Sequence, residues 1–167
     1  MNVEIHVTKN IISNIQEEFL LKILLQRVDK ASVFVDERVV SQIGLGIVLF
    51  VGIHRDDNNE VLKYCAEKCI NLRLFPDEKG AMNASVLQVS GQVLAVSQFT
   101  LYGDCRKGRR PSFDAAAKGH LAKPLYNRFL NVLESRGVKL ESGIFGADMR
   151  VEIHNNGPVT LLIESSN

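Results

Sequence analysis

Ser97, Gln98 and Thr100 interrupt the apolar run from Gln92 to Leu101, and they are the side chains whose types and spacing first suggest chemistry. On a strand, side chains alternate between two faces. Val96, Gln98 and Thr100 therefore share one face, and Ala95, Ser97, Phe99 and Leu101 the other, with Gly103 closing the strand. A buried amide and hydroxyl cost free energy unless a partner satisfies them, which makes this strand end a candidate ligand site. Threonine is also a favoured strand residue that packs and bonds locally, so the bland reading stays open. Gly157-Pro158 is the second feature. A bond to proline can be cis, and glycine brings no Cβ, so the main chain there could form a bare wall that senses which side of a ligand's Cα is substituted. The same residues, preceded by Asn155-Asn156, also spell an ordinary β-turn. The third feature is the set Arg106, Lys107, Arg109 and Arg110, four cations within five positions directly after the strand. Arginine's planar fork matches phosphate, so the loop suits either a phosphodiester or plain solvent.

Other constellations carry less. Cys65 and Cys69 share a helix face at i and i+4, but no further Cys or His stands at metal-ligand spacing, and two core thiols are expected rather than zinc. Cys105 sits among cations without a neighbouring base. His6, His54, His120 and His154 are scattered, and only His154, three residues before Gly157, is a candidate for proton transfer. No metal or other cofactor is expected.

The elements that must position these residues read mainly as strands: 22–28, 32–35, 38–43 and 47–53, joined by Asp36-Glu37 and Gly44-Leu45-Gly46 as in an antiparallel meander. Asp57-Asn58-Asn59-Glu60 has the spacing of a helix start, continued by Leu62, Cys65, Cys69 and Leu72. Strands follow at 72–75 and 86–89. Leu121, Leu125, Phe129, Val132 and Leu133 mark a second helix, with Pro124 in its first turn and Gly137 as its cap. Strands at 143–145, 149–153 and 159–163 complete the pattern, with Asn155 to Pro158 as a connection. Ile12, Ile15 and Phe19 would make a short helix in an N-terminal segment, residues 1–20, of uncertain role.

The 167 residues suffice for one domain, here 21–167, with a single core. At 46% apolar and 23% charged, with net charge +1, neither disorder nor a fibrous repeat is indicated. No run of about 18 apolar residues suggests a membrane span. Three cysteines without a secretory leader point to a reducing cytoplasm.

Ser97-Gln98-Phe99-Thr100-Leu101 together with Asn156-Gly157-Pro158-Val159-Thr160 resembles the motif pair of the D-aminoacyl-tRNA deacylases. Gln26-Arg27-Val28, Asn71 to Phe75, Leu101 to Asp104, Lys107 to Phe113 and Phe145-Gly146-Ala147-Asp148-Met149 match as well. The likeness covers about residues 21 to 164. Asn156 departs from the more usual Asp, and Leu21 stands where an initiator Met is expected, which implies that residues 1–20 are an upstream-start artefact or a lineage-specific appendage. The resemblance implies an α+β fold with a curved, barrel-like sheet, mainly antiparallel or mixed, and two main helices. It implies a homodimer whose site lies between subunits, and a substrate in which a D-amino acid is esterified to the 3′ acceptor end of tRNA. Mischarged glycyl-tRNA(Ala) is implied as a second substrate, and chiral proofreading in translation as the role. Ser97, Gln98, Phe99 and Thr100 would form the catalytic pocket and Gly157 and Pro158, joined by a cis bond, the chirality wall. Arg27 and Met149 would support them, and Arg106, Lys107, Arg109 and Arg110 would touch tRNA. With no base beside Thr100, water is the expected attacker, with backbone N–H groups near Gln98 and Phe99 stabilising the oxyanion. A non-catalytic RNA-binding module and a scaffold protein are the rival readings.

Overall fold

Two stretches of the chain are apolar without alternation, and their burial explains why. The computed structural model describes residues 21–165. In it β3 (Gly46–Gly52) and β6 (Gln92–Ser97) lie side by side and parallel, buried on both faces. Ile47, Leu49, Val51, Val93 and Ala95 face a large core under the helices, whereas Val48, Leu94 and Val96 face a smaller core inside the curl of the sheet. Strands covered on both sides need apolar residues at every position. Gly46 is required where they meet, since a Cβ there would lie 1.9 Å from the Gln92 carbonyl oxygen.

The organising strand is β1 (Lys22–Val35). Its first half pairs antiparallel with β3 and its second half with β2 (Arg38–Ile43), while β8 (Arg150–Glu164) pairs antiparallel along most of its length. The order is β2-β1-β3-β6-β7, with β8 on β1 and β7 (Lys139–Ser142) parallel to β6. The result is the expected α+β fold with a mixed, curved, barrel-like sheet. It differs from a simple meander because β3 returns beside β1 instead of β2. The strands read at 22–28 and 32–35 are one element, and so are those at 149–153 and 159–163. Asn155 to Pro158 lie inside β8 as an excursion: register passes from Gln26 opposite Thr160 to Val28 opposite Asn155.

α1 (Asn59–Asn71) and α2 (Gly119–Ser135) cover the large core with Leu62, Cys65, Cys69, Tyr126, Phe129 and Leu133. The cap of α1 is Asn58, whose Oδ1 accepts from the amides of Glu60 and Val61 at 3.0 Å each. Asp57 instead accepts from the His54 amide, 2.7 Å away. Pro124 falls in the second turn of α2, not the first, and its exposure leaves the unpaired carbonyl one turn earlier open to water. Gly137 has φ +78° and its amide donates to Glu134 O at 2.9 Å, as a left-handed cap should. Strand pairing at 72–75 shrinks to β4 (Phe75–Pro76), whose partner is β5 (Met82–Ala84). Residues 86–89 form turns, closed by the Gly91 amide on Val86 O at 2.8 Å. The helix expected around Ile12, Ile15 and Phe19 lies outside the described residues. No helix among the described residues is long and apolar enough to cross a membrane.

Candidate active site

The sheet delivers the polar motif to the end of β6 and then stops. β6 ends at Ser97, and Phe99–Tyr102 wind into a single 3₁₀ turn, so the strand continuation to Leu101 is overturned. The cause lies in the hydrogen bonds. The Gln98 amide donates to Val51 O at 2.8 Å as the last rung to β3, and thereafter Leu101 donates back to Gln98 O at 3.3 Å and Gly103 to Thr100 O at 2.9 Å. Gln98 and Thr100 still meet, by a hydrogen bond from Gln98 Nε2 to Thr100 Oγ1. They are not buried as a strand would make them: Thr100 is exposed and Gln98 half-buried. Phe99 is 56% exposed and stands edge-on to Phe113, with ring centroids 5.1 Å apart.

Ser97, Gln98 and Phe99 open onto a cavity of about 550 Å³. Its other walls are Gly119 and Ala122 of α2, the segment Phe145 to Met149, Val51, Val96 and Val151 from the strands, and Ile53 and Ala117 from the connections after β3 and before α2. Met149 is one of these wall residues. Thr100 does not line the cavity and reaches it only through Gln98. Asp148 lines it and carries a carboxylate that residue-by-residue reasoning did not single out. The signal was the Phe145-to-Met149 motif, whose residues surround the cavity as a group.

The Gly157-Pro158 peptide is cis, and Gly157 has φ +115°. The excursion in β8 wraps around Arg27. Arg27 Nε donates to Asn156 O at 3.3 Å, and its Nη1 donates to Leu74 O, tying the excursion to the start of the β4 segment. Asn155 Nδ2 donates to Arg27 O (2.9 Å) and Val159 O (3.1 Å), and Asn156 Nδ2 to Asp29 Oδ1 (2.7 Å). Arg27 is thus hydrogen-bonded to both the excursion and the segment before β4. Neither Gly157 nor Pro158 lines the cavity of its own chain.

One expected donor is lost. Because the Gln98 amide is used by Val51, the amides left at the strand end are those of Phe99 and Thr100, the first two of the turn, which have no acceptor within it. Arg106, Lys107, Arg109 and Arg110 are all exposed on the loop that follows. Its base is clamped by reciprocal amide bonds between Asp104 and Ser112, 2.7 and 3.1 Å, and Arg106 forks onto Asp104, whose carboxyl is held down at about 2. Cys65 and Cys69 are core thiols raised by burial, Cys65 to about 11. His154 is exposed on β8 and does not line the cavity. No group of three or more potential metal ligands occurs among the described residues.

The family model for D-Tyr-tRNA(Tyr) deacylase matches residues 24–164. The chain belongs to this deacylase family. A D-aminoacyl-tRNA deacylase of Fervidobacterium nodosum is 54% identical over 145 residues, covering 87% of this chain and 97% of the relative. The solved structure of a c-Myc DNA unwinding element binding protein superposes with TM-score 0.83 at 40% identity, covering 87% of this chain and 99% of that one. A probable eukaryotic D-amino acid tRNA deacylase shares the fold, with TM-score 0.76, 20% identity and the same coverages. Deacylase-family membership accounts for all the motifs together, from Arg27 to Thr160.

Proposed function

We propose that the protein is a hydrolase that cleaves the ester of D-aminoacyl-tRNA to free D-amino acid and tRNA. It acts as a homodimer in the cytoplasm and removes mischarged residues before they enter translation. The observation that carries the reading is a polar strand end opening on a cavity, in a chain of the deacylase family, whose Gly-Pro segment lies away from that same cavity. A second copy supplies what one chain lacks: the partner subunit's Gly157 and the partner subunit's Pro158 close the cavity with main chain. Against that wall an L side chain clashes, whereas hydrogen does not. Glycyl-tRNA(Ala), with no side chain, passes the same filter.

Water attacks the ester carbonyl, and the terminal ribose 2′-hydroxyl assists. The amides of Phe99 and Thr100 receive the developing oxyanion, a term that commonly supplies a few kcal/mol of barrier reduction. Thr100 positions the substrate: its hydroxyl accepts from Gln98, an amide that cannot activate it as a base would. Ser97 and Met149 shape the pocket, and the exposed cations Arg106, Lys107, Arg109 and Arg110 meet the acceptor strand. Incubation with D- and L-tyrosyl-tRNA, scored by tyrosine release, tests the reading. Release from the D ester alone is expected, and release from neither or from both equally would refute it. The 40%-identical DNA-element binding protein and the basic loop favour a second reading, a nucleic-acid-binding module. That reading requires salt-sensitive binding with no hydrolysis.

A further inference from the structure

A second cavity, of about 450 Å³, shares the 3₁₀ turn with the first but none of its side chains. Phe99 faces the first cavity, and Leu101 and Tyr102 the second, so a four-residue turn about 8 Å long joins them. Its polar walls come from three separate parts of the chain: Lys22 at the start of β1, His54 and Arg55 after β3, and Asp104 and Arg106 from the basic loop. The buried ring of His54 leans against Tyr102, with centroids 5.6 Å apart, and packs within the wall.

The charges of this cavity favour an anion. Three cations, Lys22, Arg55 and Arg106, line it against two carboxylates that are already engaged: Asp104 takes both arms of Arg106, and Asp114 accepts the Ser112 hydroxyl at 2.7 Å. Each cation has a carboxylate neighbour, Lys22 with Glu164 at 3.4 Å, Arg55 with Asp56 at 3.6 Å and Arg106 with Asp104 at 2.7 Å. All three pairs are at least partly solvated, and such pairs are weak enough to be exchanged for a stronger anion. Arginine and lysine together suit a phosphate, the one by its fork and the other as a point charge.

We propose that this cavity holds a phosphodiester of the acceptor strand, one or two nucleotides before the esterified terminal nucleoside, with Arg55 and Lys22 as its ligands. The inference rests on the deacylase reading and adds to it a second foothold. The terminal nucleoside and its ester occupy the first cavity, and the strand leaves across the turn into the second. The substrate is thereby recognised as a polynucleotide and not only as an amino-acid ester.

The test compares D-tyrosyl-tRNA with 3′-O-D-tyrosyl-adenosine, which has no preceding phosphate. Arg55→Gln and Lys22→Gln should each raise KM for the tRNA about tenfold with kcat unchanged, as expected for one lost charge-assisted hydrogen bond. The slope of log KM against log salt should fall by about 0.7 for each variant. The kcat/KM on the adenosine ester should be the same as wild type. A variant that lowers both activities in parallel would make these residues structural and overturn the inference, as would one that alters neither. Wild-type protein that releases tyrosine from neither substrate would refute the deacylase reading and this inference with it. Wild type active on both with variants unchanged would remove the inference alone.

Discussion

Gly157→Ala is the substitution whose cost the geometry fixes most closely. A Cβ at this position would stand 2.6 Å from Arg27 Nη2 and 3.1 Å from Val159 Cγ2, and the residue's φ of +115° is one that L residues rarely adopt. Holding alanine there costs about 1–3 kcal/mol of backbone strain. The guanidinium cannot swing aside freely, because its Nε is held by Asn156 O and its Nη1 by Leu74 O. Losing one such charge-assisted bond adds roughly 1.5 kcal/mol. The total is about 3 kcal/mol, which for a chain of this size is a fall in Tm of about 6–12 °C. Thermal and urea unfolding at one fixed protein concentration would measure it, since the Tm of any self-associating chain moves with concentration. The same substitution in an Arg27→Ala background isolates the contact. There only the strain remains, so the penalty should shrink by about 1–2 kcal/mol. Equal penalties in both backgrounds, or no penalty in the first, would refute the reasoning.

Thr100→Ala should retain measurable hydrolysis of D-tyrosyl-tRNA, with kcat/KM reduced about tenfold or less, the scale of one hydrogen bond. Trapping a covalent aminoacyl-enzyme on Thr100 would overturn the water route. Asp57 gives a prediction in pH. Burial raises its carboxyl from 3.8 to about 6, while the His54 amide partly offsets the rise. Because the folded chain keeps this proton longer than the unfolded one, its contribution is complete below about pH 4 and disappears as pH rises through about 6. The group retains some solvent, so the effect on stability should be on the order of 1 kcal/mol. Asp57→Asn, which keeps an acceptor for His54, should therefore gain on wild type between pH 4 and pH 7 in urea unfolding. A difference that stays constant across that range would contradict the assignment.

Much of the fold was legible because burial leaves a simple mark. Strands covered on two faces show as unbroken apolar runs, and the helices announced themselves by the Asp57-to-Glu60 start signal, the 3.6-residue spacing and Gly137, although the capping side chain is Asn58 and not Asp57. The misreadings have one physical source, which is that local turn chemistry does not say what lies across the sheet. Asn155 to Pro158 have the composition of a turn, yet β1 runs past them on both sides and turns them into an excursion within one strand. Residues 86–89 are largely apolar but bond within themselves, Val89 to Ser85 O, Ser90 to Leu87 O and Gly91 to Val86 O, and so form turns instead of a strand. The site was legible as motif and less so as geometry: β6 stops at Ser97, four residues before the Leu101 end that its pattern suggests, and Thr100 is exposed on the turn that follows. The second cavity was invisible to motif reading, because Lys22, Arg55 and Arg106 are brought together only by the fold.

The central claim is that each site takes its pocket from one subunit and its Gly157 wall from the other, and mixed dimers test it most directly. Ser97→Trp fills the cavity and Gly157→Val blocks the wall. Each homodimer should be inactive on D-tyrosyl-tRNA. In the heterodimer one site carries both lesions and the other neither, so about half the wild-type activity per dimer should return. Heterodimers as inactive as their parents would mean that the site lies within a single chain.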